Sequence, residues 1–158
     1  MKKLIVTFAA ILIFASSVKA QSLENLFKKY ADDERFEFVS VGSGLMNIAS
    51  ALGGVDKEAK NMMSKMKSIK ILTLEENLNS HLANSFIKEL DNIIANGEFE
   101  TIVESREKNE RTYIYKRVDA KDNADMLIVT KEPRETNVIW LKGKMSKQEM
   151  QKIMQEDD

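Results

Sequence analysis

The sequence predicts an α+β fold in which helices pack on one face of a mostly antiparallel sheet, a two-layer sandwich. Apolar residues recur at helical spacing in the first half of the chain, whereas from Phe99 onward they alternate with polar residues at the period of a strand. The links between these late strands are so short that they permit only antiparallel neighbours. The predicted order of elements is α-β-α-α-β-α-β-β-β-β-α.

The helices are predicted from one-sided apolar stripes and capping residues. Ser22 precedes a stripe formed by Leu23, Leu26, Phe27 and Tyr30, and an acidic cluster follows it. Further helices are predicted over 45–52, from Asp56 to Met66, from Leu78 to Ile93, and after the Ser146–Glu149 capping box. Asn96 and Gly97 are expected to close the longest helix with a positive φ.

Six runs of residues are typical of strands. They alternate apolar and polar side chains, or are apolar almost throughout, and turn residues bound them. The predicted strands are 36–41, 69–74, 99–104, 112–118, 126–130 and 138–141. Tyr113, Tyr115 and Arg117 alternate with Ile114 and Val118, so one sheet face is expected to be partly open, with aromatic side chains beside charged ones.

The first twenty residues have the pattern of a signal peptide. Lys2 and Lys3 precede an apolar run, and Val18 and Ala20 supply the small residues that a signal peptidase recognises. The apolar run of about twelve residues is short for a membrane span, which needs roughly 20. We therefore predict cleavage after Ala20, a single domain over 21–158, and export to the periplasm or the outside of the cell.

Composition restricts the classes of function. The 158-residue chain contains no cysteine, which excludes disulfides, thiol catalysis and thiolate metal sites. Without residues 1–20 it carries 21 basic and 25 acidic residues. A mildly acidic surface does not favour nucleic acid or anionic lipid. Export without cysteines suits a bacterial envelope or secreted protein.

Four patterns that could indicate a ligand are weak. Gly42-x-Gly44 lacks the third glycine of a dinucleotide loop, since Asn47 occupies that position. His81 is the only histidine and is expected to be solvated on the first turn of a helix. The oxygen-rich link from Asp119 to Asp125 lacks the glycine and the final acid of a calcium loop. The methionines Met46, Met62, Met63 and Met66 suit packing better than a copper site.

Paired carboxylates do not indicate a catalytic site either. Glu100 and Glu104 are predicted to share one strand face, but an exposed sheet face is normally charged. The sequence therefore predicts no catalytic residues, no cofactor and no metal ligands.

Tyr113, Tyr115, Arg117 and Trp140 are the candidate interaction surface. Tyr, Trp and Arg are the residue types that anchor interfaces, and all four lie on the late strands. The alternative is that the aromatic side chains pack half-buried on the sheet. We predict a non-enzymatic binding or regulatory module with a protein partner in the cell envelope; the alternative is a small-ligand carrier or an enzyme with a pocket between helices and sheet.

The chain also resembles the domain of unknown function 4252 family, found in exported proteins of Bacteroidetes. The resemblance lies in LFKKYADDERFEFVSVGSGLMNIA, KSIKILTLEE, GEFETIVESREKNERTYIYKRV and NADMLIVTKEPRETNVIWLKGKMSKQEMQKIM. It implies an exported protein linked to envelope stress or sigma-factor signalling, and it implies no catalytic residues. Similar proteins often carry a lipobox cysteine; since this chain has none, no lipid anchor is implied.

Overall fold

A computed structural model describes residues 22–44, 47, 54 and 56–149, except for the side chains of residues 58, 59 and 62. Three helices and one six-stranded sheet are described in full, and the helical residues 43, 44, 47 and 147–149 belong to segments that are described only in part. The helices are α1 (Leu23–Ala31), α2 (Lys57–Lys65) and α3 (His81–Asn96). The strands are β1 (Phe36–Gly42), β2 (Met66–Leu74), β3 (Glu100–Glu107), β4 (Glu110–Val118), β5 (Asn123–Glu132) and β6 (Glu135–Lys144).

The sheet has the strand order β1-β2-β6-β5-β4-β3, and all five neighbouring pairs are antiparallel. Strands β3 to β6 form the predicted meander, and the β1–β2 pair adds to its β6 side. The α+β class with an antiparallel sheet is thus confirmed. Of the predicted helix over 45–52, only Asn47 is described, and it is helical; the last helix is described only over its first turn.

Helix α1 forms as its cap and stripe predict. The Ser22 hydroxyl accepts a hydrogen bond from the Asn25 N–H at 3.2 Å, which satisfies one free donor of the first turn. The four predicted stripe residues are all buried. Tyr30 packs edge-on against Phe86 of α3, with ring centroids 4.9 Å apart. The stripe therefore joins the two helices in one core.

Helix α3 is capped by Ser80, whose hydroxyl accepts the Ala83 N–H at 3.1 Å. Its end differs from the prediction: Gly97 has φ −96°, and Glu98 adopts the positive φ of 59°. Glycine is needed at 97 for another reason. A Cβ there would lie 2.6 Å from the Ile93 carbonyl oxygen and 3.1 Å from the Phe99 ring.

The core lies between these two helices and one face of the sheet, which we call the first face. Leu72, Val138 and Val129 lie opposite one another on β2, β6 and β5, and each is at most 1% exposed. The aromatic members of the core are Phe27, Tyr30, Phe36, Phe86 and Trp140. The first face therefore holds the packed layer that the stripes of α1 and α3 cover.

Two boundaries differ from the sequence prediction. Met66, expected at the end of a helix, begins β2 instead and pairs with Gly143 of β6. The meander strands also extend beyond their apolar centres into charged residues, because ladder hydrogen bonds continue to the turns. None of the helices within the described residues is both long and apolar enough to cross a bilayer.

Candidate functional site

The other face of the sheet, which we call the second face, is also apolar. One cross-strand row runs through all six strands in the order Val39, Ile71, Ile139, Ile128, Ile114 and Val103. Val39 is 50% exposed and Val103 is 42% exposed, and the four isoleucines between them are half-buried. With strands about 4.8 Å apart, this aliphatic row spans about 24 Å.

The row beside it continues the apolar surface. Val41, Ile69, Leu141 and Met126 occupy successive positions across β1, β2, β6 and β5, and all are half-buried. On the opposite side lies a polar row of Thr73, Asn137, Thr130, Thr112 and Ser105. The Asn137 Oδ1 atom is buried and accepts no hydrogen bond within the described part of the chain. The second face therefore offers a broad apolar area and one acceptor without a donor.

Beyond the polar row, the charges separate by face. Strands β3, β4 and β5 each place an acid and a base next to each other in sequence at this end of the sheet: Arg106 and Glu107, Glu110 and Arg111, Lys131 and Glu132. Because successive side chains point to opposite faces, the bases lie on the first face and the acids on the second. Glu107 pairs with Glu110, and Glu132 pairs with Glu135.

The opposite end of the second face is bordered by the end of α2 and by the start of the last helix. A Cβ on Gly143 would lie 3.1 Å from the Lys65 carbonyl oxygen, so α2 meets the sheet closely there. Met145 is 9% exposed and packs on Ala124, with Val118 and Met126 beside it. The Lys65 ammonium bonds the Glu149 carboxylate. These contacts place both segments at the same edge of the second face.

The predicted capping box at the last helix is confirmed. The Ser146 N–H donates to Glu149 Oε2 at 2.9 Å, and the Glu149 N–H donates to the Ser146 hydroxyl at 3.2 Å. The hydrogen bond from Lys65, followed by that from the Ser146 N–H, lowers the pKa of the Glu149 carboxyl to about 2. This carboxylate therefore fixes the first turn of the helix against α2.

The four residues of the predicted interaction surface lie on the first face. Trp140 is 3% exposed and packs in the core, with its ring centroid 5.3 Å from that of Phe27. Tyr113 and Tyr115 are half-buried at the margin of the core and stack at 6.1 Å. Burial, ahead of the nearby charge of Asp91, raises the pKa of Tyr115. The more open sheet face is thus the aliphatic one.

Arg117 belongs to a polar network that closes one end of the first face. Its Nε and Nη2 atoms donate to Asp125 Oδ2 at 3.0 and 2.7 Å, and Nη1 donates to the Gly97 carbonyl oxygen at 3.0 Å. The Trp140 indole N–H donates to Asp125 Oδ1 at 2.9 Å. Asp125 is 9% exposed, so this network supplies the partners that a buried carboxylate requires.

A cavity of about 360 Å³ lies beside this network. Leu23 and Glu24 of α1 form one wall, and Arg117, Asp125 and Trp140 form another. It is the point where polar groups converge between a helix and the sheet, with Lys142 at its rim.

The other candidate residues take ordinary structural positions. His81 is exposed on the first turn of α3, as predicted, with Nδ1 3.3 Å from the Ser85 hydroxyl. Gly42 ends a strand that pairs antiparallel with β2, unlike the parallel unit of a dinucleotide fold. Asp119 accepts three hydrogen bonds from Lys121 and Asn123, and those from the Asn123 side chain and backbone contribute most to lowering its pKa.

The prediction that Glu100 and Glu104 share a strand face is wrong. A register shift between Thr101 and Val103 places Glu100 opposite Lys116 on the second face and Glu104 opposite Tyr113 on the first. Of the four methionines considered, Met63 and Met66 are half-buried, Met46 lies outside the described residues, and the side chain of Met62 is not described. Among the described residues, no group of His, Asp and Glu is arranged to hold a metal ion.

Sequence reasoning missed the second face as a candidate site, although a signal was present. The runs MLIV and VIWL are apolar at four consecutive positions, and Ile71 and Leu72 are apolar neighbours on β2, so both faces of these strands carry apolar side chains. Strands with this pattern are typically covered on both sides. The prediction instead took the face of Tyr113, Tyr115 and Arg117 as the partly open one.

Within the described residues, the fold and these surfaces define a single-sheet α+β protein with one face packed under α1 and α3 and a second apolar face whose side chains are half-buried or exposed. A family model described as domain of unknown function (DUF4252) matches residues 12–153, and the chain belongs to this family. No curated protein and no solved structure matches the chain.

Proposed function

We propose that this chain is an exported, non-enzymatic binding module of the bacterial cell envelope, and that its second face binds a protein partner. The observation that carries the proposal is the aliphatic row that crosses all six strands and ends in two exposed valines. Contiguous apolar surfaces of this breadth on soluble proteins mark interaction sites.

The chemistry of the partner follows from the charges around this row. Glu107, Glu110, Glu132 and Glu135 border one end of the second face, so the complementary partner carries an apolar segment flanked by basic residues. An amphipathic helix with lysine or arginine at one end meets both requirements.

Export is supported by the Lys2-Lys3 and apolar pattern at the start of the chain. In the family context that the sequence implies, the module acts in envelope stress or sigma-factor signalling. Expression of the full chain in a Bacteroidetes host, followed by fractionation and mass spectrometry of its first peptide, tests this. We expect a mature chain that begins at Gln21 outside the cytoplasm. An intact first peptide in the cytoplasm would refute export.

A photo-crosslinking amino acid at Ile128, in the centre of the aliphatic row, tests the second face. Irradiation in envelope extract should join Ile128 to one partner, and sequencing of the linked peptide should give an apolar segment with basic flanks. The same probe at Asn84, on the exposed side of α3, serves as the control and should not capture that partner.

Introduction of charge on the second face supplies the second arm of the test. Ile71→Lys with Ile139→Lys should abolish the Ile128-directed crosslink, whereas Asn84→Lys with Asn92→Lys adds the same charge on α3 and should preserve it. A linked peptide from this chain itself would assign the face to a second copy or to the chain's own segments, and would overturn the proposal. Equal loss in both double variants would also overturn it.

Variants of the predicted interaction surface on the first face test independently whether the partner binds there. If the partner instead binds Tyr113, Tyr115, Arg117 and Trp140, the Tyr115→Ala/Arg117→Ala variant loses the partner and the lysine variant of the second face keeps it. Such a result would move the site to the margin of the core.

The cavity beside Arg117 and Asp125 favours one alternative function, a small-ligand carrier. The lining by a cation, a carboxylate and an indole between α1 and the sheet would suit a small polar ligand. Trp140 is the only tryptophan and reports on this cavity directly. A saturable change of its fluorescence with envelope metabolites, lost in Lys142→Met, would support a carrier. Absence of any change across such a library would reject it.

A further inference from the structure

A second surface, separate from the aliphatic face, lies on the first face where β3, β4 and β5 meet the turns. Its floor is a cross-strand row of three cations, because Arg106 lies opposite Arg111 and Arg111 lies opposite Lys131. Directly opposed side chains have Cβ atoms about 5 Å apart, and like charges at such positions are destabilising. The row therefore holds like charges together at a cost to the fold.

The chain forms a cavity of about 470 Å³ over this row. The chemistry of its lining is one-sided: it contains cations, amides, one leucine and one proline, and no carboxylate. The lining residues are Asn77, Leu78, Asn79, Arg106, Lys108, Asn109, Arg111, Lys131 and Pro133. We call this cavity the basic pocket.

The cations of the basic pocket are largely uncompensated. Within the described part of the chain, Arg106, Lys108 and Arg111 form no ion pair. Lys131 alone has a carboxylate partner, Asp91, at 3.5 Å. The acids of the same strand ends do not neutralise the row, since they lie on the second face.

The wall opposite the arginines is held in place by the backbone. The Leu78 N–H donates to the Pro133 carbonyl oxygen at 3.1 Å, which ties the segment before α3 to the turn between β5 and β6. Asn77 Oδ1 accepts the Asn79 N–H at 2.9 Å, so the amide NH₂ of Asn77 remains as a donor. The pocket thus combines guanidinium, ammonium and amide donors on a fixed frame.

We propose that the basic pocket binds a phosphate-bearing ligand. Three uncompensated cations and one partly compensated cation call for a multiply charged anion, and a phosphoryl or pyrophosphoryl group carries more charge than one carboxylate. Two adjacent guanidinium groups also match the tetrahedral array of phosphate oxygens through paired N–H donors. A long polyanion fits poorly, because acids lie on the reverse side of the same strand ends.

Titration with inorganic pyrophosphate at low ionic strength tests the site. We expect saturable binding by calorimetry, with amide NMR shifts centred on Arg106, Arg111 and Asn79. The Arg106→Gln/Arg111→Gln variant should bind at least tenfold more weakly. The matched control, Arg134→Gln/Lys121→Gln, removes the same charge from turns outside the pocket and should bind like the wild type. Failure of wild type to bind, or equal weakening in both variants, would overturn the proposal.

The melting temperatures of the ligand-free proteins test whether the charges of Arg106 and Arg111 are uncompensated. Relief of like-charge repulsion should raise the Tm of Arg106→Gln/Arg111→Gln above that of the wild type in low salt, and pyrophosphate should raise the Tm of the wild type alone. A lower Tm of the ligand-free variant would show that the arginines stabilise the fold by themselves, and would refute the uncompensated row.

Vesicles separate the two sources of phosphate. Co-sedimentation with phosphatidylglycerol vesicles and not with phosphatidylcholine vesicles, lost in the arginine variant, would assign the pocket to a lipid headgroup. Pyrophosphate binding without co-sedimentation would assign it to a soluble phosphate ester. Either result supports the phosphate site, and neither depends on the partner proposed for the second face.

Discussion

The two faces of the sheet have similar hydrophobicity and different packing. Leu72 and Ile71 are neighbours on β2, yet Leu72 is fully buried beneath the helices and Ile71 is half-buried on the second face. The first face is rich in aromatic side chains, which contact α1 and α3 at ring distances of about 5 Å. The second face holds aliphatic side chains in straight cross-strand rows.

This difference indicates separate roles for the two faces. Aromatic side chains with helix partners give the first face the dense interior that determines stability. Isoleucine and valine stabilise a sheet through cross-strand contacts, so the rows of the second face contribute to stability as well. In our proposal, the first face contributes most of the stability and the second face binds the partner.

The largest expected effect is the difference in stability loss between substitutions at Leu72 and at Ile71, its neighbour on β2. Leu72→Ala should lower the free energy of unfolding by about 3 kcal/mol, because a leucine with full burial leaves a cavity. Ile71→Ala should cost about 1 kcal/mol, since its side chain is only half-buried. Urea unfolding followed by Trp140 fluorescence measures both. Equal losses would mean that the second face is covered in solution.

Disruption of the polar network at the end of the first face should cause the next largest loss of stability. Arg117→Met leaves the Asp125 carboxylate with the Trp140 indole and without its cation. We expect a loss of about 2 kcal/mol, below the range for a fully buried pair because the Arg117 side chain is 29% exposed.

Urea unfolding of Arg117→Met, Asp125→Asn and the double variant measures the coupling between the two side chains. A double variant no more stable than Arg117→Met would contradict the view that an unpaired carboxylate causes the loss.

Glu24 on α1 should contribute less to stability than the network of Arg117 and Asp125. Its carboxylate bonds Lys70 at 2.7 Å and Lys142 at 3.3 Å, and the hydrogen bond from Lys70 is the main cause of its lowered pKa. Glu24→Gln should cost less than about 1 kcal/mol, because the carboxylate is 53% exposed.

The pH dependence of this contribution has a defined sign. A folded pKa below the unfolded value means that stability is present above the unfolded pKa of about 4.5 and is lost as the pH falls through the folded pKa. The difference in stability between wild type and Glu24→Gln should therefore be largest above about pH 4.5 and shrink as the pH falls below that value. A difference that persists at low pH would exclude the ion pairs as its source.

The smallest expected effect is confined to the last helix. Because the pKa of Glu149 is about 2, its contacts with Lys65 and Ser146 should survive to well below pH 4.5 and be lost as the pH approaches 2. NMR titration should place the Glu149 midpoint near that value in wild type and nearer 4.5 in Lys65→Met. Equal midpoints in the two proteins would remove Lys65 as the cause.

Part of the candidate site was readable from the sequence. The sequence shows that Ile114 and Val118 alternate with Tyr113 and Tyr115, but it predicts that the face with the tyrosines is the partly open one. The row from Val39 to Val103 was not predictable, because it depends on the register of five strand pairs. The β-bulge that separates Glu100 from Glu104 changes a face assignment without any local signature.

The sequence by itself determined the helices α1 and α3, the Ser22 cap, the Ser146–Glu149 capping box, the meander and the α+β class, because periodicity and capping act over a few residues. Only the tertiary structure decided the strand order, the helix-covered face, and the meeting of Arg106, Arg111 and Lys131 from three strands. Those outcomes arise from contacts between residues distant in the chain. Local patterns carry no information on which strand becomes the neighbour of which.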